Sequence, residues 1–136
     1  MVNIVAVSPQ SVPLYWPDVR HLLARALDEG RGRFTLDRIE ADLTAGRKRL
    51  WVVLSGERLA AAVVTCVTDF PAKRVCTILL CGGEDVDSWV SRVLAAIEEY
   101  ARWEECGQVE IIGRAGWERK CPSFERAGVW LVKELS

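Results

Sequence analysis

RVCTILLCGGEDVDSWVSRVLAAIEEYARW, residues 74–103, is the stretch on which the fold turns. Arg74 to Cys81 form a β-prone run rich in Ile, Leu, Val and Thr. Gly82 and Gly83 follow, and then the acids Glu84, Asp85 and Asp87. From Val86 onward, Trp89, Val90, Val93, Leu94, Ile97 and Ala101 recur at the spacing of one broad helical face. Glu98 and Arg102 form an i,i+4 pair on its outside. The spacing predicts a strand, a short loop from Gly82 to Val86, and a helix over 86–101 that packs on a sheet. Such a loop has two readings. Free N–H groups and the helix dipole attract a phosphate, and glycines let the backbone approach it. Alternatively the three carboxylates cap the helix and repel any anion, so that the glycines only turn the chain.

Upstream, RLWVVLSGERLAAAVVTCVTDF (49–70) reads as a hairpin turning at Ser55-Gly56-Glu57. With 74–81 it makes a three-strand meander. NIVAV (3–7) is an earlier strand. Pro17 and Asp18 open a helix whose apolar face is Val19, Leu22, Leu23, Ala26 and Leu27, with Gly30 as a stop. Thr35 caps a second helix buried through Leu36, Ile39 and Leu43, and Gly46 closes it. Downstream, Gly107 ends the main helix. VEIIG (109–113) is a strand, WERKC a helical turn, and GVWLVKEL (128–135) a final strand. The order is β-α-α-β-β-β-α-β-α-β. It predicts a single α/β domain over 1–136, with a mixed, mostly antiparallel sheet flanked by helices.

The chain has 136 residues, half of them apolar, with a net charge of −1. That is enough to build a core, and it gives no global field favouring nucleic acid or anionic lipid. No apolar run approaches a membrane span, and the N-terminus lacks the basic flank of a secretion signal. The expectation is a soluble, cytoplasmic protein. The five cysteines are odd in number and no two are separated by just two residues. This argues against a disulfide framework and a paired-thiolate zinc site. His21 is the only histidine. It reads as a surface residue, so no metal centre is expected.

The element order resembles the GCN5-related N-acetyltransferase (GNAT) fold over nearly the whole chain. Phe124-Glu125-Arg126-Ala127-Gly128-Val129 is similar to the late Tyr-Glu-Lys-x-Gly-Phe segment of that family. Small GNAT-like proteins of tailed phages are similar in length and in the GRAGWER and KEL segments. The resemblance implies an acetyl-CoA site. Leu80 and Cys81 would pair with pantetheine, Gly82, Gly83, Glu84 and Asp85 would hold the pyrophosphate, and Arg114 would assist. Arg31 and Arg33, between the first two helices, would border the acceptor site. The family's loop usually reads Arg/Gln-x-x-Gly-x-Gly/Ala, which this loop does not match. Phe124 stands where many members carry a proton-donating tyrosine. No catalytic residue is therefore assigned, and catalysis would rest on proximity.

Other features keep a second class open. Arg31 and Arg33 also read as a solvated loop. Arg47-Lys48-Arg49, Arg58 and Lys73-Arg74 form basic turns without aromatic interleaving, so nucleic-acid binding is not expected. Arg114 or Arg119 could meet a phosphate or an acidic partner. Trp117 reads as packing, or as the wall of a pantetheine tunnel, and Cys121 as a small buried residue. Of the six tryptophans, Trp51, Trp89 and Trp103 fit apolar faces, whereas Trp16 and Trp130 are less clearly inside. An exposed aromatic pair would suit a protein interface. The first expectation is an acyl-CoA-dependent N-acetyltransferase of unknown acceptor. The alternative is a non-catalytic GNAT-fold interaction protein, such as a phage virion or assembly component, which would be virion-associated. A homodimer sharing edge strands fits both.

Overall fold

Strands β1 (Val2–Val7), β2 (Arg49–Ser55), β3 (Arg58–Phe70), β4 (Lys73–Gly83) and β5 (Gln108–Ile111) lie side by side in chain order. The computed structural model describes residues 2–28, 32–113 and 115–136. β1 to β4 pair antiparallel, and β5 joins β4 in parallel. That parallel step needs a crossover, which helix α3 (Val86–Trp103) supplies. The β2–β3 hairpin turns at Gly56-Glu57, where Gly56 takes φ +64° at no steric cost.

Alternation along the strands splits the core in two. Trp51, Val53, Val63, Cys76 and Ile78 face α3 and meet Trp89, Val93 and Ile97. Leu50, Val52, Val64 and Leu80 face the other way. There they meet α1 (Val12–Leu27) and α2 (Leu36–Thr44) through Trp16, Val19, Leu23, Ile39 and Leu43. Thr35 caps α2 by accepting the Arg38 N–H at 3.2 Å, and Gly46 closes it at φ +80°.

In the last turn of α2, Asp42 is buried and accepts hydrogen bonds from Lys48 at 2.7 Å, Arg47 at 2.8 Å and Arg38 at 3.2 Å. Its own carbonyl accepts the N–H groups of Arg47 and Lys48. The bonds from Lys48 and Arg47 hold its carboxyl well below the usual carboxylate range, against the opposing effect of burial. One side chain thus pins the turn from α2 into β2.

Several boundaries differ from the sequence-based expectations. α1 begins at Val12, with Pro13 in its first turn and Pro17 inside it. The earlier start puts Trp16 on the buried stripe with Val12, Val19, Leu23 and Ala26. Pro17 forgoes only a bond to the Pro13 carbonyl near the helix start. α3 ends at Trp103, and the left-handed residue after it is Glu105 at φ +62°, not Gly107. Gly107 instead donates its N–H to the Arg74 carbonyl and leads into β5. Trp103 is exposed, because it falls on the flank of the helical stripe. β4 continues through Gly83, so the loop before α3 is only Glu84 and Asp85. After the short helix α4 (Gly116–Lys120) the described residues form no further strand, and 128–135 joins no ladder of the sheet. β-propensity alone does not make a strand where no edge meets the segment.

Candidate functional site

Val64 of β3 opposes Leu80 of β4, whereas the next residue, Thr65, opposes Ile78. Leu79 is therefore an extra residue, a β-bulge, which bends its strand. The parallel pairing of β4 with β5 stops at the same level, with Ile78 opposite Ile111. Beyond that pair the two strands separate. Among the described residues, no strand covers the β5-facing edge of Leu79 to Gly83. Divergence of parallel strands at their carboxyl ends is where open α/β sheets hold ligands.

The gap is a cavity of about 60 Å³ between Ile78–Cys81 on one side and Ile111–Gly113 on the other. Trp117 lies against Gly113, where a Cβ would come within 2.7 Å of the indole ring. Trp130 reaches in from the C-terminal segment, and the Arg33 guanidinium sits 4.3 Å above its ring. The cation faces the negative face of the indole.

The residues of the expected acetyl-CoA site divide as follows. Leu80 and Cys81 line the cavity. Gly82 and Gly83 are ladder residues opposite Ala62 and Ala61. A Cβ on Gly82 would lie 2.2 Å from the Leu22 carbonyl oxygen, and one on Gly83 would lie 2.4 Å from the Ala61 Cβ. Both glycines thus already serve close approach within the fold. The Glu84 N–H bonds the Ala60 carbonyl, and its carbonyl accepts the Trp89 indole N–H at 2.7 Å.

The acids do not cap α3. Asp85 stands at the N-cap with φ +52° and makes no side-chain capping bond. Glu84 pairs with Arg58, and Asp87 with Lys120. Arg33 is exposed and stacked on Trp130. Arg31 and Arg114 lie outside the described residues.

Among the described residues lining the cavity, Cys81 and Arg33 are the ones with titratable side chains. Tyr15 packs in the α1–α2 core, and Tyr100 stands edge-on to Trp51 with ring centroids 5.3 Å apart. Phe124 packs on the α3-side core, and Cys121 is buried there, where burial pushes its thiol pKa up. Glu110 was not singled out from the sequence. It sits in β5 one residue before Ile111, accepting bonds from the Thr77 hydroxyl at 2.9 Å and the Gln108 amide at 3.2 Å. An isolated Glu in VEIIG carries no motif, and only strand pairing reveals its partners.

The basic turns are tied down locally. Arg47 and Lys48 bind Asp42, Arg58 binds Glu84, and Arg74 binds Asp69 and Glu104. No described helix is long and apolar enough to cross a membrane. No cluster of metal-ligating side chains is present among the described residues.

No family model matches the chain, and no curated protein matches it. Its shape does match solved structures. An aminoglycoside acetyltransferase from an uncultured soil metagenomic sample superposes with a TM-score of 0.76 at 9% identity, covering 100% of this chain and 99% of that one. A predicted acetyltransferase with acetyl-CoA from Clostridium acetobutylicum gives 0.70 at 13% identity, covering 98% and 96%. A ribosomal-protein-alanine N-acetyltransferase from Brucella melitensis biovar Abortus 2308 gives 0.69 at 12% identity, covering 100% and 99%. The chain is a single α/β unit with the GNAT fold. At such identities the likeness concerns the fold.

Proposed function

We propose that the chain is an acyl-CoA-dependent N-acetyltransferase. One observation carries this reading: β4 and β5 part at the Leu79 bulge, so that no described strand covers the end of β4 in front of a helix start that no side chain caps. The Leu79–Gly83 edge, which no described strand covers, would present backbone amide and carbonyl groups to a pantetheine arm. The α3 N-terminus offers its dipole to a pyrophosphate. Acetyltransferases share the fold, one of them solved with acetyl-CoA, which supports the reading at the level of the fold.

Acetyl-CoA would supply the acetyl group for an amine acceptor. This chain's part is to hold and orient, since among the described residues Cys81 and Arg33 are the titratable groups lining the cavity. Glu110 is the one carboxylate of β5 and is anchored by Thr77 and Gln108; it lies outside the cavity lining, so no proton-transfer role is assigned to it. Trp130 must swing away from Arg33 to admit the cofactor, because about 60 Å³ is too little for an acyl-pantetheine end. Arg33 would then be freed to meet an acidic acceptor.

The same Trp130 supports a second reading, a non-catalytic GNAT-fold interaction protein of virion or assembly type. In that role the indole is a permanent filler, and the exposed C-terminal segment is the binding element. Calorimetric titration with acetyl-CoA, and with desulfo-CoA as control, separates the two. Binding with a Kd on the order of micromolar supports the enzyme. No heat at ligand on the order of millimolar favours the interaction protein.

A further inference from the structure

A groove of about 1140 Å³ runs along β5, with Gln108 to Gly113 as one wall and Ser123 to Trp130 as the other. Its floor is apolar. Ala101 of α3, Val109 and Ile111 of β5, and Trp117, Cys121 and Phe124 beyond it all line the groove and all belong to the α3-side core. Ala101 and Cys121 are buried, whereas Val109, Ile111, Trp117 and Phe124 are only partly covered. Half-covered core residues along one continuous groove form a surface that gains by further burial.

The charges at the rim neutralise one another. Glu98 pairs with Arg102 at 3.6 Å, and Arg126 is ion-paired to Glu118. Glu110 turns to the opposite face of the sheet, where Thr77 and Gln108 hold it. Glu125 is exposed to solvent, and Arg33 is stacked on Trp130. Among the described residues the groove therefore suits an uncharged, apolar occupant. It also opens into the cavity between β4 and β5, because Ile111, Ile112, Gly113, Trp117, Trp130 and Arg33 line both. We propose that the groove receives the acyl tail of the donor, so that the protein transfers medium-length acyl groups and not acetyl alone.

This inference rests on the acyl-transfer reading and names its class of donor. A tail fixed to a thioester in the cavity starts where the groove starts, at Ile111 and Trp117. From Ile111 back to Gln108 the wall is about 10 Å long. An extended tail of roughly eight carbons, with C–C bonds of about 1.5 Å, matches that length. An alkyl tail brings no polar groups that the apolar floor would leave unpaired, whereas a peptide backbone would. Trp130 stands at the junction, so the swing that admits the thioester also joins cavity to groove. In the transfer, the amine nitrogen bonds the acyl carbon, the C–S bond breaks, and the proton lost by the amine leaves on the sulfur.

Calorimetric titration of the full chain with acetyl-, butyryl-, octanoyl- and dodecanoyl-CoA tests it. A fully buried methylene is worth about fourfold in affinity. The groove is open on one side, so roughly half of that free energy is expected, which makes octanoyl-CoA about 50-fold tighter than acetyl-CoA. Affinity should level off between octanoyl and dodecanoyl, where the tail outruns the wall. Val109→Glu puts a carboxylate on the floor and is expected to return octanoyl-CoA to the acetyl value. Should that variant fail to fold, the wild-type series decides alone. Equal affinities across the series, with acetyl-CoA still bound, overturn the acyl groove and leave the acyl-transfer reading standing. No binding by any member overturns both. A Val109→Glu variant that keeps the full gain, or a series that rises undiminished through dodecanoyl, also overturns the acyl groove, since the tail then lies elsewhere.

Discussion

An alanine at position 82 would press its Cβ to 2.2 Å from the Leu22 carbonyl oxygen, a backbone atom of α1 that cannot swing aside. Gly82→Ala is therefore expected to cost about 2–3 kcal/mol in urea unfolding. Gly116→Ala, where nothing lies within 4 Å, should cost nothing measurable. Cys76 is pushed up to about 12, first by burial and then by the neighbouring Cys106 and Cys66 thiols. It stays protonated and shielded, so alkylation of the native protein near pH 8 should leave Cys76 unmodified by mass spectrometry and label it only after unfolding. Trp130 is a different case, a half-exposed ring across a small cavity. If acetyl-CoA enters there, Trp130→Ala should tighten its binding about tenfold in calorimetry, roughly 1.4 kcal/mol. An unchanged Kd would mean that the ring never stood in the way.

At the scale of elements, α2 and the start of β2 are joined through Asp42. The folded pKa of this carboxyl is depressed, so its stabilisation is present above the unfolded value of about 3.9 and is lost as pH falls below it. Thermal melts should show wild type losing stability below pH ~4 more steeply than Asp42→Asn. At neutral pH the variant should be weaker by about 2 kcal/mol, a value reduced because Arg38 and Arg47 are largely exposed.

The elements themselves were largely legible. The seven-residue stripe of α3 and the Thr35 cap of α2 are periodic or local signals, and both hold in the structure. What misled was context. Pro17 looked like a helix start because a proline at a first turn is common, yet Pro13 fills that role and Pro17 rides inside the second turn. GVWLVKEL looked like a strand because its residues favour one, but pairing is decided by which edge the segment can reach.

For the molecule as a whole, the cleft was the least legible part. The double glycine drew attention as a phosphate cradle, whereas its tight contacts are with Leu22 and Ala61. The opening comes instead from Leu79, which no motif marks. Ile78-Leu79-Leu80-Cys81 is apolar throughout, so an inserted residue leaves no trace in its hydropathy. Deleting Leu79 should let β4 keep step with β5 past Ile78. The expected result is a folded protein with added exchange protection at Ile112 and Gly113 and no acetyl-CoA binding. Retained binding would place the ligand elsewhere.

That single residue also changes parity along β4. Before it, even-numbered Cys76 and Ile78 point toward α3, and after it odd-numbered Cys81 does, while Leu80 has crossed to α1. Shifting a strand by one position normally turns its whole apolar set inside out. Here the shift is harmless because both faces of β4 are covered. A sheet clothed in helices on both sides can absorb an odd insertion where a one-sided sheet could not. In such a protein, a cleft can arise from a single added codon.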